Sequence, residues 1–258
     1  MKRSGNITLL CGAAAVILSS VIMLYLLKNE TVMQITTGTY GSHIYRYGFD
    51  TGSLEFSLLE KIEAENASYA IKDADNIYAV SETGNDSGAY SFSLGDETAM
   101  TADKRQTGAD PCFIMRYEDK ILTADYSGGS VTVFPLCDGV LGDCIQRLEF
   151  QGEGPVEGRQ ESSHIHQLKL LPDTDWILAS DLGADRIRLL RFEDGILIHK
   201  GDIVCPAGSG PRHLEFSLDG KTLYCISELS GNVLVYSTGG NETPEFTLIQ
   251  QIQADEVN

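Results

Sequence analysis

From Gln34 onward the chain repeats itself, and this constrains its fold more than any other feature. Short β-rich runs recur at His43–Tyr47, Ala89–Leu94, Ser130–Phe134, Arg186–Leu190 and Asn232–Tyr236. With Ile44, Ala89, Val131, Ile187 and Val233 as markers, the steps are 45, 42, 56 and 46 residues. Each of the last four runs follows another strand that ends in an acid: Ile77 to Glu82, Ile121 to Asp125, Ile177 to Asp181 and Leu223 to Glu228. Units of this size, made of short strands without a helical period, fit the blades of a β-propeller. Asp-Gly pairs in Leu218-Asp219-Gly220-Lys221 and Phe192-Glu193-Asp194-Gly195 supply hairpin turns, because glycine accepts positive φ. A β-sandwich would explain the strands but not a repeat of this length. The predicted fold class is therefore all-β, a propeller over residues 34–258.

The first 33 residues differ. Lys2 and Arg3 precede an uncharged, mostly apolar run from Ile7 to Leu27 that Lys28 closes. Its length predicts a transmembrane signal anchor, and the positive N-terminal flank predicts an extracytoplasmic domain. The alternative is translation from Met33, which would leave a cytoplasmic protein. The rest of the chain is acidic, with 19 Lys and Arg against 37 Asp and Glu for a net charge of −18. That balance excludes nucleic acid as a partner and makes the few basic positions informative, since an anionic small molecule would need them gathered at one place. The sequence does not specify an oligomeric state.

Six cysteines show no CxxC pair and no metal-ligand spacing with histidine, so neither zinc nor another cofactor is indicated. Cys137 and Cys144 flank a turn and could face each other across a hairpin if the domain is exported, although small apolar packing is the commoner role of a thiol.

The basic groups collect in two motifs. Gly158 to His166 contains Arg159, His164 and His166, and Gly208 to His213 contains Arg212 and His213. Counting back 15 positions from the acids puts His166 before Asp181 and His213 before Glu228, with Ala67 at that place before Glu82, so the blade itself does not require histidine. In an extended segment His164 and His166 point the same way. Arginine suits two-point binding of carboxylate or phosphate. Structural readings stand beside these: His-x-His could be an ordinary packed pair, Arg212 could pair with a repeated acid, and Glu82 and Asp125 read as structural acids. Tyr126-Ser127-Gly128-Gly129 reads as turn chemistry.

At these residues the sequence resembles the lactonase family that contains propeller-type 6-phosphogluconolactonases and fungal carboxy-muconate cyclising enzymes. The matching pieces are Thr37-Gly38-Thr39-Tyr40, Asp125 to Val131, Arg159-Gln160 with His164-Ile165-His166, Asp181 to Ile187, Gly208 to His213 and Ser227-Glu228-Leu229. The resemblance implies a seven-bladed propeller that hydrolyses a sugar lactone without a metal. It maps catalytic roles onto His166, Arg212 and Glu228. Substrate binding is expected from Arg159, His164, His213 and Asp181. Ser163 stands where the family usually has proline, and Ser227 where it usually has asparagine. At the observed spacing the repeats make about five blades, and the resemblance leads one to expect two more beyond Asn258.

The expected reaction is water attack on the carbonyl of a small anionic sugar lactone, most directly 6-phosphogluconolactone. His166 or Glu228 would be the base, with Arg212 at the oxyanion. Rival readings are a muconate cycloisomerase on the same fold and a non-catalytic propeller that serves as a binding platform.

Overall fold

The computed structural model describes residues 32–94, 99–101, 104–240 and 242–254. Among these residues twenty-one strands form five sheets. The first holds β1 (Val32–Thr37), β2 (His43–Asp50) and β3 (Glu55–Glu63) in that order. The second runs β4 (Ala70–Asp73), β5 (Asn76–Ser81), β6 (Gly88–Leu94) and β7 (Ala99–Thr101), with β8 (Arg105–Gln106) also on β6. The third runs β9 (Pro111–Tyr117), β10 (Lys120–Asp125), β11 (Ser130–Cys137) and β12 (Val140–Leu141), with β13 (Gln146–Glu149) also on β11. In the fourth come β14 (Ile165–Leu170), β15 (Trp176–Asp181), β16 (Arg186–Glu193) and β17 (Ile196–Val204). The fifth holds β18 (Pro211–Phe216), β19 (Thr222–Ser227), β20 (Asn232–Gly239) and β21 (Glu245–Gln253).

The last four sheets are meanders of antiparallel neighbours, which is what short connections allow. Asp194 and Gly195 both take positive φ, 50° and 80°, the pattern of the two-residue turns that match strand twist.

The chain divides into two compact units, one of residues up to Thr36 with Tyr45–Lys61, the other of Thr37–Ile44 with Ile62–Asn258. In the first, Arg46 and Glu60 pair at 2.6 Å and Phe49 packs on Phe56. The second holds the successive faces of the repeat. Tyr78, Val80 and Ala89 of the second sheet pack on Ile114, Ile121 and Phe134 of the third. The other face of the third, with Leu122, Val131 and Val133, packs on Leu168, Ile177 and Leu190 of the fourth. Trp176, Leu178 and Leu189 then meet Phe216, Leu223 and Tyr236 of the fifth. Central strands are thus covered on both sides, and β15 is buried along its whole length. Face-to-face stacking in chain order is the propeller-like arrangement that the repeat predicts.

The N-terminal transmembrane helix is a correction. No helix among the described residues is long and apolar enough to cross a membrane, and the only helical turns described are short 3₁₀ segments at Gly84–Asp86 and Leu182–Ala184. The apolar run Ile7–Leu27 itself lies outside the described residues. The membrane anchor and the extracytoplasmic location inferred from it are therefore unsupported. Cys137 and Cys144 are free and exposed, so no disulfide joins them.

Candidate active site

The repeats place their site residues by two local devices. The first is a bulge at the start of each of the last three sheets. In the third sheet Pro111 pairs with Asp125 and Phe113 with Ala124, so the register skips Cys112. In the fourth, Ile165 pairs with Asp181 and Gln167 with Ser180, which skips His166. In the fifth, Pro211 pairs with Ser227 and His213 with Ile226, which skips Arg212. An unpaired extra residue kinks the strand and re-aims its side chain. Cys112, His166 and Arg212 all line one cavity of about 220 Å³ within the second unit.

The second device is the strand end. Asp125 and Asp181 are the last residues of β10 and β15, but Glu82 and Glu228 stand one residue beyond β5 and β19. A one-residue offset turns a side chain to the other face. Asp125 is fully buried and accepts hydrogen bonds from Thr123, Ser130 and Thr132 at 2.7, 2.8 and 2.6 Å. Glu82 and Glu228 line the cavity, and so does Tyr126, which occupies the corresponding place after Asp125.

Of the residues expected to act together, the structure gathers His166, Arg212, Glu228 and Arg159. Arg159 Nη2 donates to Glu228 Oε1 and Arg212 Nη1 to Glu228 Oε2, so one carboxylate joins both guanidinium groups. Each arginine side chain keeps 42% of its surface exposed, against 23% for Glu228. Burial would raise the Glu228 carboxyl, but the Arg159 hydrogen bond and the charges of Arg212 and Arg159 outweigh it and hold it below the ordinary range. The Glu228 bond in turn raises Arg159.

His166 is buried, and its Nδ1 has no hydrogen-bond partner among the described residues. With Nδ1 sealed, Nε2 is the nitrogen left for a ligand. Burial first, then the charges of Arg212 and His213, pull its pKa down to about 3, so the ring is neutral near pH 7. Its backbone carbonyl accepts from Cys112 Sγ at 3.3 Å. Burial raises that thiol, with the charges of Glu82 and Asp125 adding to the effect, so Cys112 is a packed thiol rather than a nucleophile.

The remaining expected residues sit around this group. His164 stacks on Tyr126 with ring centres 4.5 Å apart, and its Nδ1 lies 2.9 Å from the Tyr126 carbonyl oxygen. His213 meets the edge of His166 at 5.1 Å. The structure places Asp181 elsewhere: it is fully buried, accepts from Ser163 Oγ and the His164 amide, and pairs with Arg188 at 2.6 Å. The two-motif alignment also shifts, because the fifth-sheet equivalent of His166 is Arg212 and not His213.

Asp185 secures the loop before Arg212, accepting from the Gly208 and Gly210 amides at 2.6 and 2.8 Å and from Ser209 Oγ at 3.2 Å. Gly210 has φ +60°, and an added Cβ would stand 2.5 Å from Leu229. Gln160 Nε2 reaches the same Asp185 at 2.9 Å, which ties the Arg159 segment to the Arg212 loop.

Sequence reasoning missed Tyr126, Cys112, Tyr40, Asp110 and the cavity position of Glu82. For Tyr126 and Glu82 the available signal was their place just past the strand end. Among the described residues no cluster of three His, Cys, Asp or Glu side chains is arranged to hold a metal ion.

Residues 32–257 match the family described as "Lactonase, 7-bladed beta-propeller". The chain belongs to this lactonase family. A 6-phosphogluconolactonase of Bacillus subtilis strain 168 is 28% identical over 234 residues, which cover 86% of this chain and 67% of that protein. A Bacteroides fragilis structure, provisionally named a 6-phosphogluconolactonase, superposes with a TM-score of 0.81 at 33% identity, covering 89% of this chain and 69% of its own. The periplasmic gluconolactonase of Pseudomonas aeruginosa is similar at a TM-score of 0.78 and 28% identity, covering 87% and 69%. This lactonase-family chain thus spans about two thirds of the length of each of these relatives.

Proposed function

We propose that this protein hydrolyses a sugar lactone, with 6-phosphogluconolactone to 6-phosphogluconate as the favoured reaction. The observation that carries this reading is the meeting of two guanidinium groups, a neutral imidazole and two glutamates in one small cavity. A chain of net charge −18 repels an anionic substrate over most of its surface, and Arg159 and Arg212 are the cations that this cavity sets beside Glu82, Asp110 and Glu228. The names of the relatives support the same chemistry.

In this reading Arg212 faces the carbonyl oxygen and stabilises the charge that develops there as water adds. Arg159 receives the phosphate or carboxylate of the substrate. The neutral His166 offers Nε2 as a hydrogen-bonding partner to the reacting group. The tetrahedral adduct collapses with the ring oxygen as leaving group. A δ-lactone is already reactive, so acid-base assistance of about 10²- to 10⁴-fold suffices.

The test is proton release by the purified protein with 6-phosphogluconolactone, with glucono-δ-lactone and with a carboxy-muconate. Hydrolysis of the phosphorylated lactone is expected, with large losses in Arg212→Ala and His166→Ala. Rates unchanged by both substitutions discard the assignment, and turnover of the muconate alone favours the cycloisomerase.

A further inference from the structure

Glu82 and Glu228 are two glutamates of one cavity, set at the same place in their sheets, each one residue past the end of the second strand. Their surroundings differ. Both oxygens of Glu228 carry a guanidinium donor, so its charge and its acceptor capacity are committed. Glu82 is bonded by hydroxyl groups instead: Ser68 Oγ and Tyr40 OH both reach Oε1, the latter at 3.5 Å. Among the described residues no cation lies within ion-pair distance of Glu82 and no donor engages Oε2.

We infer that Glu82 is the general base of the hydrolysis, taking the proton of the attacking water, while Glu228 is a positioning residue that holds Arg159 and Arg212 in place. This rests on the lactonase reading above and assigns the proton acceptor that reading leaves open. The titratable and charged groups that face Glu82 are Tyr40, Asp110, Cys112 and Arg212. Burial raises its carboxyl above the ordinary range and the Asp110 charge adds to this. The hydrogen bonds of Ser68 and Tyr40 and the Arg212 charge only partly offset it. When two carboxylates of one site are pushed apart in this way, the higher one is the better proton acceptor near neutrality and the lower one stays ionised. The two other candidates serve poorly, since Glu228 is held low by its arginines and His166 titrates at about 3.

The step balances. Water oxygen bonds to the carbonyl carbon, its proton passes to Glu82, and the carbonyl π pair moves to the oxygen facing Arg212. Collapse of the adduct breaks the bond from carbon to ring oxygen, and that oxygen takes the proton from Glu82. The carboxylic acid formed releases its own proton to solvent.

The experiment uses the full chain and the pH profile of kcat/KM on glucono-δ-lactone and 6-phosphogluconolactone. Glu82→Gln keeps a hydrogen-bond acceptor for Ser68 and Tyr40 but cannot take a proton. It is expected to lose about 10²-fold or more and to lose the acid limb of the profile. Glu82→Asp should slow the reaction but keep that limb, and added formate should restore part of the rate of Glu82→Ala. An active wild type whose Glu82→Gln variant stays within about threefold, or keeps the acid limb, overturns the assignment. A wild type inactive on both lactones overturns the functional reading itself, and this assignment falls with it.

Discussion

His166 and Arg212 are the same residue of two successive sheets: each is second in its first strand, and each is the residue the register skips. Cys112 is the third of the series. The cavity is thus assembled from one re-aimed side chain of each of the last three sheets, joined by Glu82, Tyr126 and Glu228, which follow the second strands of the second, third and fifth. The chemistry is carried by what occupies these places, because the sheets themselves pack through the apolar pairs behind them.

Arg212→Lys is expected to behave much like Arg212→Ala. Lysine keeps the charge but has no planar fork with which to hold the Glu228 carboxylate and an oxyanion together. A fall in kcat/KM of about 10²- to 10³-fold, most of it in kcat, is the expected size for a lost oxyanion donor. Steady-state kinetics of both variants check it.

Arg159→Met should discriminate between substrates. If Arg159 receives the anionic group, KM for the phosphorylated lactone rises by about tenfold or more, and KM for uncharged glucono-δ-lactone changes little. Adding salt to the wild type should reproduce part of this selectively, since screening weakens the attraction between exposed charges.

Asp181→Ala tests the one expected binding residue that the structure buries. Arg188 would lose its closest partner in a buried site and keep Asp202, at 3.1 Å, and the Gln151 carbonyl, at 2.9 Å. Breaking such a pair costs about 3–5 kcal/mol. Denaturant titration should register that loss, while KM of the folded fraction stays at the wild-type value.

His166 makes stability depend on pH in a stated direction. An ordinary imidazole titrates at 6.5, and in the native protein this one titrates at about 3. Between those values the unfolded chain binds a proton that the native chain does not. The stabilisation is therefore complete above pH 6.5 and is lost progressively as pH falls toward 3. His166→Gln lacks this dependence, so its stability relative to wild type should improve on acidification. Asp125, raised to about 6 by burial, has the opposite sign, but it is present in both proteins and cancels in the difference. Urea midpoints of the pair across that range provide the measurement.

Much of this was legible in the sequence, and for physical reasons. A repeat of short strands is a period that only repeated packing units satisfy, and it led directly to the stacked sheets of the second unit. The clustering of Arg159, His166 and Arg212 was visible because a strongly acidic chain has few cations to place. The harder part was the end of each second strand. Alternation marks which residues share a face but not where pairing stops. Asp125 and Asp181, which end their strands, therefore looked equivalent to Glu82 and Glu228, which lie just past theirs. That single-residue ambiguity made Asp181 look like a ligand residue, made Glu82 look structural, and hid Tyr126 in what read as a turn. The bulges were illegible for a related reason, since a skipped residue has no composition of its own: it is histidine, arginine or cysteine here.

The bulges also make the cavity modular. Cys112, His166 and Arg212 occupy corresponding stations, one for each of the last three sheets, and exchanging the occupant of any station would leave the apolar seams between sheets intact. Such a scaffold can be retooled one side chain at a time, trading a thiol for an imidazole or an imidazole for a guanidinium, with the change felt by the bound molecule before it is felt by the fold.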